Sequence, residues 1–110
     1  MALRKPADSV IFAKEELEKE FNSLEEGNWL KKAISKAIDD IKENIFCGEQ
    51  IKKDRIPKDY IRNYKITNLW WYPLPDGWRL VYSIITNKSE VLATIVEYFD
   101  HKNYERKFGY

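Results

Sequence analysis

The chain has a single cysteine, a single histidine and only four scattered glycines, and each scarcity excludes a class of function. One thiol, Cys47, rules out an internal disulfide, and one cysteine with one histidine gives no ligand spacing for a metal site. The scattered glycines form no phosphate-binding loop, so no cofactor is expected. Since no apolar run approaches the length of a membrane span and no signal peptide is visible, we expect a soluble cytoplasmic protein with no membrane partner.

Basic residues are distributed unevenly, although the net charge is only +1. Residues 1–46 contain eight Lys or Arg and ten Asp or Glu, whereas residues 47–110 contain eleven and eight. The basic excess is concentrated in one segment, where only Asp54 and Asp59 offset it. The basic residues of this segment are Lys52, Lys53, Arg55, Lys58, Arg62 and Lys65. Such a cluster can bind a nucleic-acid backbone, and it can equally be a solvated loop.

Two amphipathic helices are predicted in the first half of a single domain, residues 1–110, after an extended arm at residues 1–7. Residues 8–24 are predicted as the first helix because apolar residues recur at steps of three and four, although residues 10–13 could also form a short strand. The second helix is predicted from an N-cap at Asn28 to a stop at Gly48. Its apolar face comprises Leu30, Ile34, Ala37, Ile38, Ile41 and Ile45.

A β-hairpin is predicted around the three-residue loop Pro75-Asp76-Gly77, because runs rich in aromatic and branched residues flank it. In this register residue 74 faces 78, 72 faces 80 and 70 faces 82. The core side would carry Trp70, Tyr72, Leu74, Trp78, Leu80, Tyr82 and Ile84. The opposite side includes Trp71 and Arg79, which we expect to be less buried and which are the first indication of a ligand surface.

The fold predicted from these elements is α+β, with a two-helix hairpin packed on one face of a three- to four-stranded antiparallel sheet. A third strand is predicted at residues 90–99, followed by a polar tail at residues 100–110. Antiparallel pairing with the preceding strand would return His101 to the neighbourhood of Arg79. Simpler interpretations stay open, since Arg79 could pair with Glu97 across the sheet and a lone histidine often has no chemical role.

The segment Gly77-Trp78-Arg79-Leu80-Val81-Tyr82 resembles the Gly-x-Arg-x-x-Tyr strand of the RelE/ParE toxin superfamily of type II toxin–antitoxin systems. A basic segment at residues 48–55 precedes it, and residues 101–106 are similar to the family's His-Arg-x-x-Tyr segment. The end of the chain is similar to a subgroup that finishes in His-Lys-x-Tyr-Glu-x-x-Phe-Gly-Tyr. The resemblance covers residues 28–110 and implies a RelE-like fold. Family members usually open with a β-strand and often have arginine at the position of Lys102.

The resemblance implies a metal-independent endoribonuclease that cleaves mRNA on the ribosome and inhibits translation. It implies catalytic roles for Arg79, His101 and Tyr104. We assign RNA binding to the remaining basic and aromatic candidates, Lys52, Lys53, Arg55, Trp71, Lys102 and Arg106. The expected partners are mRNA, the ribosome and a cognate acidic antitoxin. Alternatives are a ParE-like protein that inhibits its target by contact alone, and a degenerate relative that only binds a partner.

Overall fold

The computed structural model describes residues 4–109, in which helices cover both faces of one five-stranded sheet. The strands are β1 Ser9–Phe12, β2 Glu49–Gln50, β3 Trp70–Pro73, β4 Arg79–Asn87 and β5 Glu90–Phe99. The helices are α1 Glu15–Ser23, α2 Trp29–Glu43, α3 Lys58–Tyr64 and α4 His101–Phe108. The strand order is β1-β5-β4-β3-β2, with β1 parallel to β5 and the other pairs antiparallel. None of the helices within residues 4–109 combines the length and apolarity needed to cross a bilayer.

The predicted hairpin and its register are confirmed. Trp70 pairs with Tyr82 and Tyr72 pairs with Leu80, as the loop length requires. The Leu74 N–H donates to the Trp78 carbonyl oxygen at 2.8 Å, which closes the three-residue loop. Gly77 has φ = 77°, a left-handed conformation that glycine adopts without steric cost.

The second helix is confirmed at its start and ends earlier than predicted. The Asn28 side chain accepts hydrogen bonds from the backbone N–H groups of Leu30 and Lys31, so it is the N-cap. The helix ends at Glu43 instead of reaching Gly48. Its apolar face is buried against the sheet through Ile34, Ala37 and Ile41.

The prediction of one helix over residues 8–24 is wrong, because a strand precedes a shorter helix. Val10 pairs with Ala93 of β5, and the Ala13 N–H donates to the Ile95 carbonyl oxygen at 2.8 Å. Branched residues at positions 10 and 11 favour the extended backbone, and β5 offers a free row of hydrogen-bonding groups. The apolar spacing continues from strand into helix, so periodicity alone could not separate them.

The prediction of a single helical layer is also wrong. Helices α1 and α2 cover one face of the sheet. The buried residues of the core between these helices and the sheet are Leu17, Ile34, Ala37, Ile41, Ile45, Leu74, Leu80, Tyr82, Val91, Ala93, Ile95 and Tyr98. Helices α3 and α4 cover the other face. The buried residues of this second core are Ile51, Ile56, Tyr60, Ile66, Leu69, Val81, Val96, Phe99, Tyr104 and Phe108. The predicted polar tail is therefore helix α4, whose aromatic residues complete a second core.

The second helical layer removes most of the predicted contrast between the two faces of the hairpin. Leu80 and Tyr82 are fully buried, as predicted, but Val81 on the opposite face is fully buried too. Trp70, Tyr72 and Trp78 are half-buried, and so are Trp71 and Arg79. The expected difference therefore holds for Leu80 and Tyr82 only, because both faces of the sheet are covered.

The hydroxyl of Tyr82 attaches the segment after α2 to the sheet. It donates to the Ile45 carbonyl oxygen at 2.8 Å and accepts from the Gly48 N–H at 3.0 Å. The backbones are so close here that a Cβ on Gly48 would lie 2.6 Å from the Trp71 carbonyl oxygen. Burial raises the pKa of the Tyr82 hydroxyl, which stays protonated and able to donate.

The substitution Tyr82→Phe should lower the free energy of unfolding by about 1–3 kcal/mol, because a buried carbonyl oxygen and a half-buried N–H lose their partner. Urea unfolding followed by circular dichroism measures this. The matched control is Tyr72→Phe, since the Tyr72 hydroxyl donates to the carboxylate of Asp40 near the surface, where water can replace it. An equal loss in both variants would contradict the role given to Tyr82.

Candidate functional site

Arg79 is the first residue of β4, and its side chain lies between two aromatic rings. The guanidinium carbon is 4.1 Å from the ring centroid of Trp71 and 4.7 Å from that of Tyr104. Both rings attract a cation and restrict the side chain. Glu97, a partner considered from the sequence, instead accepts a hydrogen bond from the Tyr60 hydroxyl. Within residues 4–109 no carboxylate lies within 4.0 Å of the Arg79 side chain, so its charge remains available.

His101 begins helix α4 beside the hairpin loop. The Asp100 side chain caps the helix by accepting from the Asn103 N–H at 2.9 Å. One turn along, Glu105 Oε1 lies 3.2 Å from His101 Nε2, and the two side chains are 44% and 57% exposed. The carboxylate therefore lies within hydrogen-bonding distance of the imidazole. A Cβ added to Gly77 would lie 3.1 Å from the His101 Cβ, so the loop packs directly against this residue.

Tyr104 is a wall of the site and a core residue at once. Only 3% of its surface is exposed. Its ring stacks on Phe108 with centroids 4.6 Å apart and meets the edge of Phe99 at 5.7 Å. These contacts hold α4 against the sheet, and they fix the ring that lies on Arg79.

These side chains line one open pocket of about 400 Å³, formed by Glu49, Trp71, Arg79, His101, Tyr104 and Glu105. The structure thus brings together all three predicted catalytic residues and the predicted stacking residue Trp71. The sequence interpretation missed Glu105, although its spacing of four residues from His101 would have indicated it had the tail been predicted as helix. It also missed Glu49, whose pairing with Trp71 across the sheet is nonlocal.

The other predicted RNA-binding residues lie outside this pocket. Lys52, Lys53 and Arg55 are exposed around a 3₁₀ turn at Lys53–Arg55, and Lys102 is exposed on the first turn of α4. Arg106 lines a different, larger cavity on the other side of α4. Residues two apart on a helix point about 200° away from each other, so Arg106 cannot share a pocket with Tyr104.

A β-bulge in β5 places the site on the α4 side of the sheet. Tyr82 pairs with Ile95 whereas Val81 pairs with Glu97, so β5 has one extra residue at Val96. The extra residue reverses the alternation of the last part of the strand. Phe99 then pairs with Arg79 and packs beneath α4. Without the bulge, Tyr98 would occupy that position.

No family model, curated protein or solved structure gives a significant match to this chain. Among residues 4–109, no group of three or more His, Cys, Asp or Glu side chains is arranged to hold a metal ion.

Replacing Gly77→Ala should destabilise the protein and displace His101. Alanine would be strained at φ = 77°, and its methyl group would lie 3.1 Å from the His101 Cβ. Left-handed strain costs roughly 1–2 kcal/mol by itself. Gly109→Ala is the matched control, because Gly109 has φ = 75° and no atom within 4 Å of an added Cβ.

Urea unfolding and the NMR signals of the His101 ring measure the two effects. We expect Gly77→Ala to lose more stability than Gly109→Ala. We expect the imidazole signal to shift in Gly77→Ala and not in Gly109→Ala. Identical behaviour of the two variants would show that the loop does not position His101.

Proposed function

We propose that this protein is a RelE-like toxin of a type II toxin–antitoxin system, a metal-independent endoribonuclease that cleaves mRNA on the ribosome. One observation carries the proposal. Arg79 and His101, which are distant in sequence, line one pocket together with the aromatic rings of Trp71 and Tyr104. A cation for phosphate oxygens, a group that exchanges protons near neutral pH and a stacking surface are what metal-independent RNA cleavage requires.

The reaction is an attack of a ribose 2′-oxygen on the adjacent phosphorus. A bond forms between these two atoms, the bond from phosphorus to the 5′-oxygen breaks, and a cyclic phosphate and a 5′-hydroxyl remain. Arg79 donates hydrogen bonds to the non-bridging oxygens, where negative charge develops. His101, whose ring is oriented by the contact with Glu105, gives a proton to the leaving 5′-oxygen. Glu49, the other carboxylate of the pocket, accepts the proton of the 2′-hydroxyl.

The nucleotide is held by groups of different kinds. Trp71 offers a ring for base stacking beside Arg79. Tyr104 positions Arg79 from the opposite side. Exposed cations outside the pocket, at residues 52–55 and at Lys102, attract the remaining phosphates of the strand.

Arg79→Ala should lower cleavage of mRNA by about 10²–10³-fold, as expected for the loss of a charge-stabilising donor. His101→Ala should lower it by about 10²–10⁴-fold, as expected for the loss of a proton donor. Arg79→Lys should rescue little, because lysine lacks the planar pair of donors. Translation arrest after expression and cleavage of mRNA on purified ribosomes measure the effect, with circular dichroism as the test of folding.

Arg62→Ala is the control for loss of a positive charge, since Arg62 is exposed on α3 and does not line the pocket. It should retain cleavage close to that of the wild type. If His101→Ala cleaves as well as the wild type, the histidine is not the proton donor. If wild-type protein cleaves no mRNA on ribosomes, the nuclease proposal fails.

A second candidate is a relative that inhibits its target by protein contact without cleavage. Glu49 and Glu105 line the pocket beside Arg79, and their negative charges oppose the approach of a phosphodiester. The Tyr104 ring is also occupied in packing. Growth arrest by wild-type protein that leaves ribosome-bound mRNA intact would favour this candidate.

The proposed toxin requires an inhibitor, and its exposed cations fit an acidic antitoxin segment lying over Arg79 and residues 52–55. Co-expression with the product of the adjacent gene, followed by a pull-down on tagged protein, should recover a stable complex. Arg79→Glu should weaken the complex by reversing the charge. Recovery of no neighbour-encoded protein would count against the toxin proposal.

A further inference from the structure

A cavity separate from the Arg79 pocket crosses the edge of the sheet. It has a volume of about 600 Å³ and is lined from the α1/α2 side and from the α3/α4 side. Between these two walls run residues 97–99 of β5. We call this cavity the edge groove.

The edge groove exists because β1 is shorter than the strand it pairs with. The last residue of β1, Phe12, lies opposite Ile95, and the final hydrogen bond of the pair joins the Ala13 N–H to the Ile95 carbonyl oxygen at 2.8 Å. Strand β5 continues to Phe99. In the part of the chain that the structure describes, residues 97–99 therefore have β4 on one side and no strand on the other. Such an edge is a template for an additional strand.

The two walls of the edge groove differ in chemistry. The wall on the α1/α2 side contains the apolar surfaces of Leu30, Trp78 and Tyr98. The wall on the α3/α4 side contains Glu97 and Arg106. Because the side chains of a strand alternate between two faces, an added strand would point every second residue at each wall.

The charges of the groove select a basic partner. Asp59 is neutralised by Lys107, whose Nζ lies 2.6 Å from its Oδ2. The remaining charged residues are three carboxylates and one guanidinium, namely Glu20, Glu97, Asp100 and Arg106. The groove is therefore acidic in a chain whose net charge is +1.

Tyr98 supplies an independent indication of a missing partner. The residue is 8% exposed and lines the groove, yet its hydroxyl has no hydrogen bond within the described residues. Burial raises the pKa of this hydroxyl, and the nearby Glu20 carboxylate raises it further, although no acceptor meets strict hydrogen-bond geometry. Buried hydroxyls are normally paired, so this one indicates a group that joins the groove on binding.

We propose that the edge groove binds an extended peptide segment of another protein, in which apolar and basic residues alternate. The segment continues the sheet in line with β1 and pairs with the free edge of residues 97–99. Its apolar side chains contact Leu30 and Trp78, and its basic side chains contact Glu97 and Asp100. This site is independent of the proposed nuclease activity, since none of its residues lines the Arg79 pocket.

A fluorescent eight-residue peptide that alternates valine and lysine is the probe, used with the full chain. Fluorescence anisotropy should show saturable binding, and backbone amide shifts in NMR spectra should concentrate at residues 97–100. A peptide with glutamate in place of lysine should bind at least about tenfold more weakly, because its charges repel the groove. A peptide N-methylated on its pairing edge should also bind at least about tenfold more weakly, because it cannot form the strand hydrogen bonds.

Variants of the protein test the same contacts. Glu97→Gln keeps an acceptor for the Tyr60 hydroxyl and removes the charge, and Glu20→Gln removes a second charge. Each should weaken binding by about three- to tenfold. Glu18→Gln is the matched control, since Glu18 is exposed on α1 and lies outside the groove.

Three outcomes would overturn the proposal. They are no binding by the wild type, equal binding of the N-methylated peptide, and amide shifts confined to the Arg79 pocket.

Discussion

The pairing of β5 with strands on both sides is the constraint on which the rest of the structure depends. β5 lies between β1 and β4, and its two faces contribute to both hydrophobic cores. Its residues 91–95 are almost all buried, so a change of register would expose apolar surface on two sides at once. Its C-terminal end leads directly into α4, so the strand that builds the core also fixes where the candidate site lies.

The bulge at Val96 links the packing of the sheet to the chemistry of the pocket. It brings Phe99 and Arg79 to the same face, and α4 then covers them with Tyr104. Tyr104 is held by two aromatic neighbours while it contacts the guanidinium of Arg79. The Arg79 guanidinium is thereby oriented by groups whose main contribution is to the stability of the core, which favours a rigid site over a mobile one.

The parts of the fold with local signals could be predicted from the sequence. The hairpin register follows from a three-residue loop containing Gly77, and the start of α2 follows from the capping side chain of Asn28. Strand β5 was predicted with the bounds that it has, because its residues are rich in Val, Ile and aromatics. The proximity of His101 to Arg79 also followed, since it requires only that β4 and β5 pair antiparallel.

The amino-acid sequence by itself determined these local elements and the identity of most pocket residues, because turns, caps and strand periodicity depend on neighbours along the chain. Only the tertiary structure decided that residues 9–12 form a strand, that α3 and α4 cover the second face, and that Glu49 joins the pocket. Each of these depends on a partner far away in sequence. The apolar spacing in residues 8–24 fits a helix, but β5 forms hydrogen bonds with the first part of this segment. The free energy of that strand pairing exceeds the weak local preference for a helix.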